Sequence, residues 1–322
     1  MNRIFKEDQF ENELSEKGYL KIRLIDNEKV KTLLDVYSAE MTNETAHNSK
    51  YGLYVTLEEW STEKSLAIEQ RVEELLREEL ESYFLSYKTH LGGFLVKNPD
   101  PNGYTYPHQD WTFVDHGNYR SVTVWIALMP IDLEQSTLGF APESVSLFNK
   151  YPVGTPVTIM KSGTSGHEFQ LYDHLDFQRV EPGEAFVFDN RTVHAASPNT
   201  SSKPRIAYAL TLSPPEAPLY HYLYSKASGK DELIQLEVDR AFFHDYTIES
   251  ADEYYNDGRL PEGYPVISRI APVWKPMDPV KLKNYLASIQ KNGLTIGATQ
   301  HSETSSNWIK KLKNKLSNAF QR

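Results

Sequence analysis

The chain has 322 residues, with 34 Lys and Arg against 44 Asp and Glu, a formal net charge of −10, ten histidines and no cysteine. Without cysteine there is no disulfide framework, thiolate zinc site, iron–sulfur cluster or cysteine nucleophile, so any metal must be held by His, Asp and Glu. The acidic balance argues against nucleic acid as a partner, while 39% apolar and 24% charged residues describe a globular chain able to bury a sizeable core.

The first ten residues, MNRIFKEDQF, mix charges and contain no apolar stretch, so no signal peptide and a cytoplasmic location are expected. The first 90 residues read mainly as helix. Residues 28–41 form one candidate, and a longer one begins after Ser61 or Thr62, either of which can cap it. There Leu66, Ile68, Val72, Leu75, Leu76, Leu80, Tyr83 and Phe84 follow a helical stripe, which predicts packing on the outside of a sheet. From about residue 90 short strands take over. Ser121–Leu128 alternates, with Val122, Val124, Ile126 and Leu128 on one side and Ser121, Thr123, Trp125 and Ala127 on the other. The run from Val122 to Met129 stops at Pro130 and is too short to span a bilayer.

Further strands are expected at 185–188, 191–195 and 205–212, separated by the Pro182-Gly183 and Asp189-Asn190 turns and a polar loop at 197–204. Strands at this spacing suggest a sandwich or jelly roll. Residues 214–265 are rich in Pro and Tyr, with a helix expected around 229–244. Another helix, at about 279–291, follows Pro272, Pro276 and Pro279. A polar linker leads from Asn292 to Ser306. Beyond it Trp308, Leu312, Leu316 and Phe320 recur every four residues among Lys310, Lys311, Lys313 and Lys315, the pattern of a basic amphipathic helix. With 29 basic and 43 acidic residues, positions 1–299 carry −14, and the last 23 residues carry +4. The expected seat of this helix is the acidic body of its own chain, or a second subunit in a homo-oligomer, ahead of a membrane surface.

The chemistry centres on Pro107-His108-Gln109-Asp110-Trp111. In a strand, residues i and i+2 point the same way about 7 Å apart, so His108 and Asp110 share a face and can converge on one ion. His194 lies on a strand just after the Asp189-Asn190 turn. Two imidazoles and one carboxylate are the donor set of a non-haem iron(II) facial triad. His-x-Asp alone is weak: with ten histidines, an accidental surface pair or a core histidine is the commoner explanation. Arg205 adds weight. It opens the next strand eleven residues after His194, on the face of Ala207, Ala209 and Thr211. A guanidinium beside such small residues suits capture of a carboxylate, although pairing to a structural Asp is the plain alternative.

The segments HQDWTFVD (108–115), YRSVTVWIALMPID (119–132) and VEPGEAFVFDNRTVHAASPNTSSKPRIAYALTL (180–212), with the N-terminal FENELSEKGYLKI, resemble the phytanoyl-CoA dioxygenase family of iron(II)/2-oxoglutarate oxygenases over most of residues 5–215. The resemblance implies a mainly β fold with a helical buttress, a double-stranded β-helix or cupin-like jelly roll. It implies that His108, Asp110 and His194 bind Fe(II), that Arg205 holds the distal carboxylate of 2-oxoglutarate, and that Trp125 borders that cosubstrate. The activity implied is oxidation by O2, foremost hydroxylation, of an unactivated C–H bond in a small-molecule substrate, with decarboxylation of 2-oxoglutarate to succinate. Desaturation or oxidative cyclisation begins with the same abstraction, whereas an intact Asp110 speaks against halogenation. The family often shows a Pro-Gly-Ser-His stretch where this chain reads Pro142-Glu143-Ser144-Val145, so the substrate loop is expected to differ. No dense basic cluster in residues 1–299 offers itself to a CoA ester, which favours a small metabolite or natural-product intermediate. Rival readings are a zinc or manganese jelly-roll hydrolase or isomerase, and a non-catalytic ligand-binding module.

The expected organisation is one domain over residues 1–295. It comprises a helical part (1–90), a jelly-roll core (about 90–215) and a lid and C-terminal extension (214–295). The linker and tail helix follow at 296–322. Candidate lids are 42–60, 161–178 and 214–265. Lys161, Arg179 and Arg191 read as solvated surface charge, and His116, His167, His174, His221 and His244 as surface or core positions.

Overall fold

The computed structural model describes residues 3–40, 53–56, 61–148, 152–156, 163–246, 248–270 and 277–289. The tail helix, the linker, Lys161 and most of the 42–60 lid lie outside the described residues.

Helical and β elements alternate at the start: helix Asp8–Lys17, β1 (Tyr19–Arg23), helix Asn27–Glu40, β2 (Leu53–Val55) and helix Thr62–Tyr83. The last begins where its sequence predicts, with Ser61 Oγ accepting the Lys64 N–H. Then come β3 (Lys88–Lys97), β4 (Thr105–His108), β5 (Val122–Ala127), β6 (Leu138–Phe140), short helices Ser144–Phe148 and Glu168–Tyr172, β7 (Asp176–Phe177), β8 (Glu184–Asp189), β9 (His194–Ala196) and β10 (Arg205–Ser213). The chain continues through β11 (Tyr220–Ser225), β12 (Glu232–Glu237), helices Phe242–Asp245 and Ile248–Asp257, β13 (Val266–Ile270) and helix Pro279–Ser288.

The protein is thus mostly β, with antiparallel sheets and flanking helices. A six-stranded sheet has the order β1-β8-β5-β10-β3-β2, a four-stranded sheet β4-β9-β6-β7 and a three-stranded sheet β11-β12-β13. Alternation along β5 and β10 divides their side chains between two cores. Val122, Val124, Ile126, Tyr208, Leu210 and Leu212 meet Ile68, Val72, Leu76 and Leu80 of the long helix, the packing its stripe predicts. On the other face Trp125, Ala127, Phe186, Phe188 and Ala207 pack against Leu138, Phe140 and Ala196 of the four-stranded sheet. That sheet's outer face, through Val193 and Ala195, is covered by Leu282 and Tyr285 of the Pro279–Ser288 helix.

Gly18 joins the helical part to the site. It ends the first helix at φ +89°, a conformation costly for other residues, and its carbonyl accepts both the Asp189 N–H (2.9 Å) and the Thr192 hydroxyl (2.7 Å). A Cβ there would lie 2.5 Å from Thr192 Oγ1.

One expectation fails. Residues 229–244 are not one helix: β12 occupies 232–237 and only Phe242–Asp245 is helical. Pairing with β11 and β13 buries Ile234 and Leu236, and that packing overrides the helix-forming Glu, Leu and Gln around them. In the tyrosine-rich stretch, Tyr222 of β11 and Tyr246, which follows the Phe242–Asp245 helix, are buried.

Candidate metal centre

β4 ends at His108, so Asp110 lies two residues past the strand rather than within it. Its N–H bonds to the Asn190 carbonyl (3.0 Å), which turns the loop towards β9. His108 and His194 are register partners across β4 and β9, with ring centroids 4.3 Å apart. Asp110 Oδ1 lies 3.6 Å from His194 Nε2. One ligand atom from each of His108, Asp110 and His194 falls within 4.8 Å of the others, the one such His/Asp/Glu group among the described residues.

Each side chain has its other polar atom engaged. His108 Nδ1 meets the Tyr106 carbonyl at 2.8 Å and His194 Nδ1 the Thr192 carbonyl at 3.0 Å. Such contacts place the proton on Nδ1 and leave the Nε2 lone pairs facing the site. Asp110 Oδ2 accepts from Thr123 Oγ1 (2.8 Å) and Asn190 Nδ2 (2.9 Å), leaving Oδ1 towards the histidines. Desolvation, followed by the field of His194, pulls His108 down to about 4, which keeps it neutral as a ligand must be. The donor set fits a divalent transition metal.

Arg205 is 2% exposed, with its guanidinium 5.2 Å from the Trp125 ring centre. Nε and Nη1 are buried without a hydrogen-bond partner. Ala207 and Ala209 follow on its face, cross-paired with Ala127 and Trp125 of β5, so the next two side chains along its strand face are small. Burial pulls the guanidinium down to about 9, still charged at neutral pH. An unpaired buried cation is costly unless an anion joins it, and a carboxylate fits this fork. The residues present therefore fit both a metal and a dicarboxylate.

A cavity of about 230 Å³ lies beside Asp110, lined by Gln109, Asp115, His116, Asn190, Arg191 and Tyr222 among others. Arg191 corrects its expected role: it is buried at 5% exposure and forms an ion pair with Asp189 (2.6 Å), whose carboxyl it holds below the usual range against the opposing effect of burial. His221 is a core residue, its Nε2 2.7 Å from Thr155 Oγ1 amid Trp111, Phe242 and Tyr246. Sequence reading missed Thr123 and Asn190. Thr123 shares the Trp125 face two residues upstream, which was a usable signal, whereas Asn190 read only as a turn.

A two-histidine, one-carboxylate centre between antiparallel sheets, with a buried arginine nearby, defines a class of non-haem metal enzymes. The family model for phytanoyl-CoA dioxygenase matches residues 16–207. The chain belongs to the phytanoyl-CoA dioxygenase family, and it is a non-haem iron enzyme dependent on 2-oxoglutarate and O2. No curated protein matches it. Among solved structures, it is similar to the epimerase SnoN in complex with Fe3+, alpha ketoglutarate and nogalamycin RO. The identity is 17% and the TM-score 0.48, over 66% of this chain and 85% of that one. The alpha ketoglutarate-dependent carbocyclase SnoK matches at 17% identity and TM-score 0.45, over 66% and 86%. EvdO2 from Micromonospora carbonacea var. aurantiaca, complexed with 2-oxoglutarate, matches at 18% and 0.43, over 66% and 94%. No helix among the described residues is long and apolar enough to cross a membrane.

Proposed function

We propose that His108, Asp110 and His194 hold iron(II), that Arg205 binds the distal carboxylate of 2-oxoglutarate with Trp125 alongside, and that the enzyme hydroxylates an unactivated C–H bond of a small metabolite or natural-product intermediate. The observation that carries this reading is the convergence of three ligand atoms within 4.8 Å, on the same side of the large sheet as an unpaired buried arginine. The bound metal and cosubstrate supply the oxidation, with 2-oxoglutarate leaving as succinate and carbon dioxide.

The chain's residues do the positioning. The Tyr106 and Thr192 carbonyls orient the imidazoles, Thr123 and Asn190 fix Asp110, and Arg205 sets the cosubstrate's distance from the metal by anchoring its far end. Phe188 and Phe140, whose ring centroids are 4.6 and 6.2 Å from that of His194, keep water from that side of the centre. The orders β8-β5-β10-β3 and β4-β9-β6-β7 support a double-stranded β-helix, since chain-consecutive strands from β3 to β10 alternate between sheets apart from the β6–β7 pair. The helical layer, these two sheets and the third sheet are proposed as one domain within residues 1–295.

The test is anaerobic addition of iron(II) and 2-oxoglutarate. A weak visible charge-transfer band is expected, along with succinate formation once air is admitted, and His108→Ala should abolish both. If the band is absent and His108→Ala behaves as wild type, the assignment is wrong.

A further inference from the structure

A second buried cation stands beside Arg205. Lys97 closes β3 as the Cα partner of Arg205 on β10. Cross-strand partners project to the same face, with Cβ atoms about 5 Å apart. Lys97 is 0% exposed, and its Nζ donates to Thr105 Oγ1 of β4 at 2.9 Å, so the side chain spans the two sheets. Its partner on β2 is the uncharged Leu53. Of the charged groups, Arg205 from β10 and Asp100 from the turn after β3 act on it, and no salt bridge joins either cation to a carboxylate among the described residues. Two like charges buried side by side oppose folding unless one is neutralised or an anion joins them.

Resting on the assignment of Arg205 to 2-oxoglutarate, we propose that Lys97 is a second cation for the cosubstrate's distal carboxylate and that it takes up a proton as this carboxylate enters. Burial first, then the Arg205 charge, pull the Lys97 ammonium down to about 7 against the opposing field of Asp100. Near neutrality, before a carboxylate enters, Lys97 therefore exists in both forms, and the neutral amine leaves Arg205 as the single charge of the pair. An arriving carboxylate stabilises the ammonium. One proton passes from solvent to the Nζ lone pair, no bond to carbon changes, and the site keeps a net charge of +1. Lys97 thereby links cosubstrate affinity to pH. Binding is strongest where Lys97 is already protonated and weakens as pH rises past the empty-state value.

The experiment uses full-length protein loaded anaerobically with iron(II). It is titrated calorimetrically with 2-oxoglutarate from pH 6.5 to 8.5, in buffers of differing ionisation enthalpy. Wild type should take up protons on binding, approaching one per cosubstrate by pH 8, and its Kd should climb towards tenfold per pH unit above about pH 7. Lys97→Gln should weaken 2-oxoglutarate at pH 6.5 by about tenfold or more and abolish the proton uptake. It should leave 2-oxobutanoate, which lacks the distal carboxylate, unchanged. Equal weakening of both acids by Lys97→Gln would show a structural strut to Thr105 and overturn the proposal. So would a wild type that binds 2-oxoglutarate without proton uptake, a result that decides the matter even if the variant does not fold. A wild type that fails to bind 2-oxoglutarate at all would sink the Arg205 assignment as well, so the two failures are distinguishable.

Discussion

Asp110 Oδ2 is occupied by Thr123 and Asn190, so only Oδ1 is left to face the two imidazoles. In the proposed centre these neighbours hold the carboxylate in one orientation, and such partners are typically worth 10–100-fold in metal affinity. Thr123→Val and Asn190→Ala should each lower iron(II) affinity by about that factor in competition with a chromogenic chelator, with the circular dichroism spectrum unchanged. At this scale the sequence was legible where chemistry restricts residue type: His108, Asp110, His194 and Arg205 stood out. Lys97 and Asn190 did not. Lys97 meets Arg205 across 108 positions and Asn190 meets Asp110 across 80, and pairings over such distances are set by strand register, which no local pattern encodes.

Among the elements, the Thr62–Tyr83 helix packs Ile68, Val72, Leu76 and Leu80 into the core beneath the large sheet. Leu76 is fully buried within it, so Leu76→Ala should cost about 2–5 kcal/mol in urea unfolding. Because it lies on the sheet face away from the centre, metal affinity in the folded fraction should stay at the wild-type level. Gly18→Ala is expected to behave differently. Its positive φ and the 2.5 Å clash with Thr192 should destabilise the fold by roughly 1–3 kcal/mol and also lower iron(II) affinity, since Thr192 carries the carbonyl that orients His194. Chelator competition on both variants separates the two outcomes. The long helix was readable because its stripe runs for about five turns. β12 was misread because six residues rich in Glu, Leu and Gln carry a helical composition; their partner β11 lies just across a short hairpin connection, while β13 arrives about thirty residues later.

For the molecule as a whole, buried neutral imidazoles set the response to acid. Burial pulls His221 down to about 3, and burial assisted by Lys88 and Arg240 does the same to His90. The unfolded chain titrates near 6.5. Their contribution to stability is therefore complete above that value and is lost as pH falls towards the folded values, because the unfolded state binds more protons. Between pH 7.5 and pH 5 each should cost on the order of 2 kcal/mol. Urea midpoints should fall accordingly, with a shallower fall for His221→Phe.

β1 and β8 pair from Tyr19 with Phe188 to Arg23 with Glu184. The strand made first therefore waits for one synthesised roughly 160 residues later. At ordinary translation speeds that is a delay of roughly 10–30 s. Through that interval β1 is an open edge on the nascent chain, and the Gly18 carbonyl lacks the turn it will hold. The metal-side turn thus closes only once β8 and the residues up to Thr192 have been made. Chaperone demand and sensitivity to synonymous changes in elongation rate should both concentrate before β8.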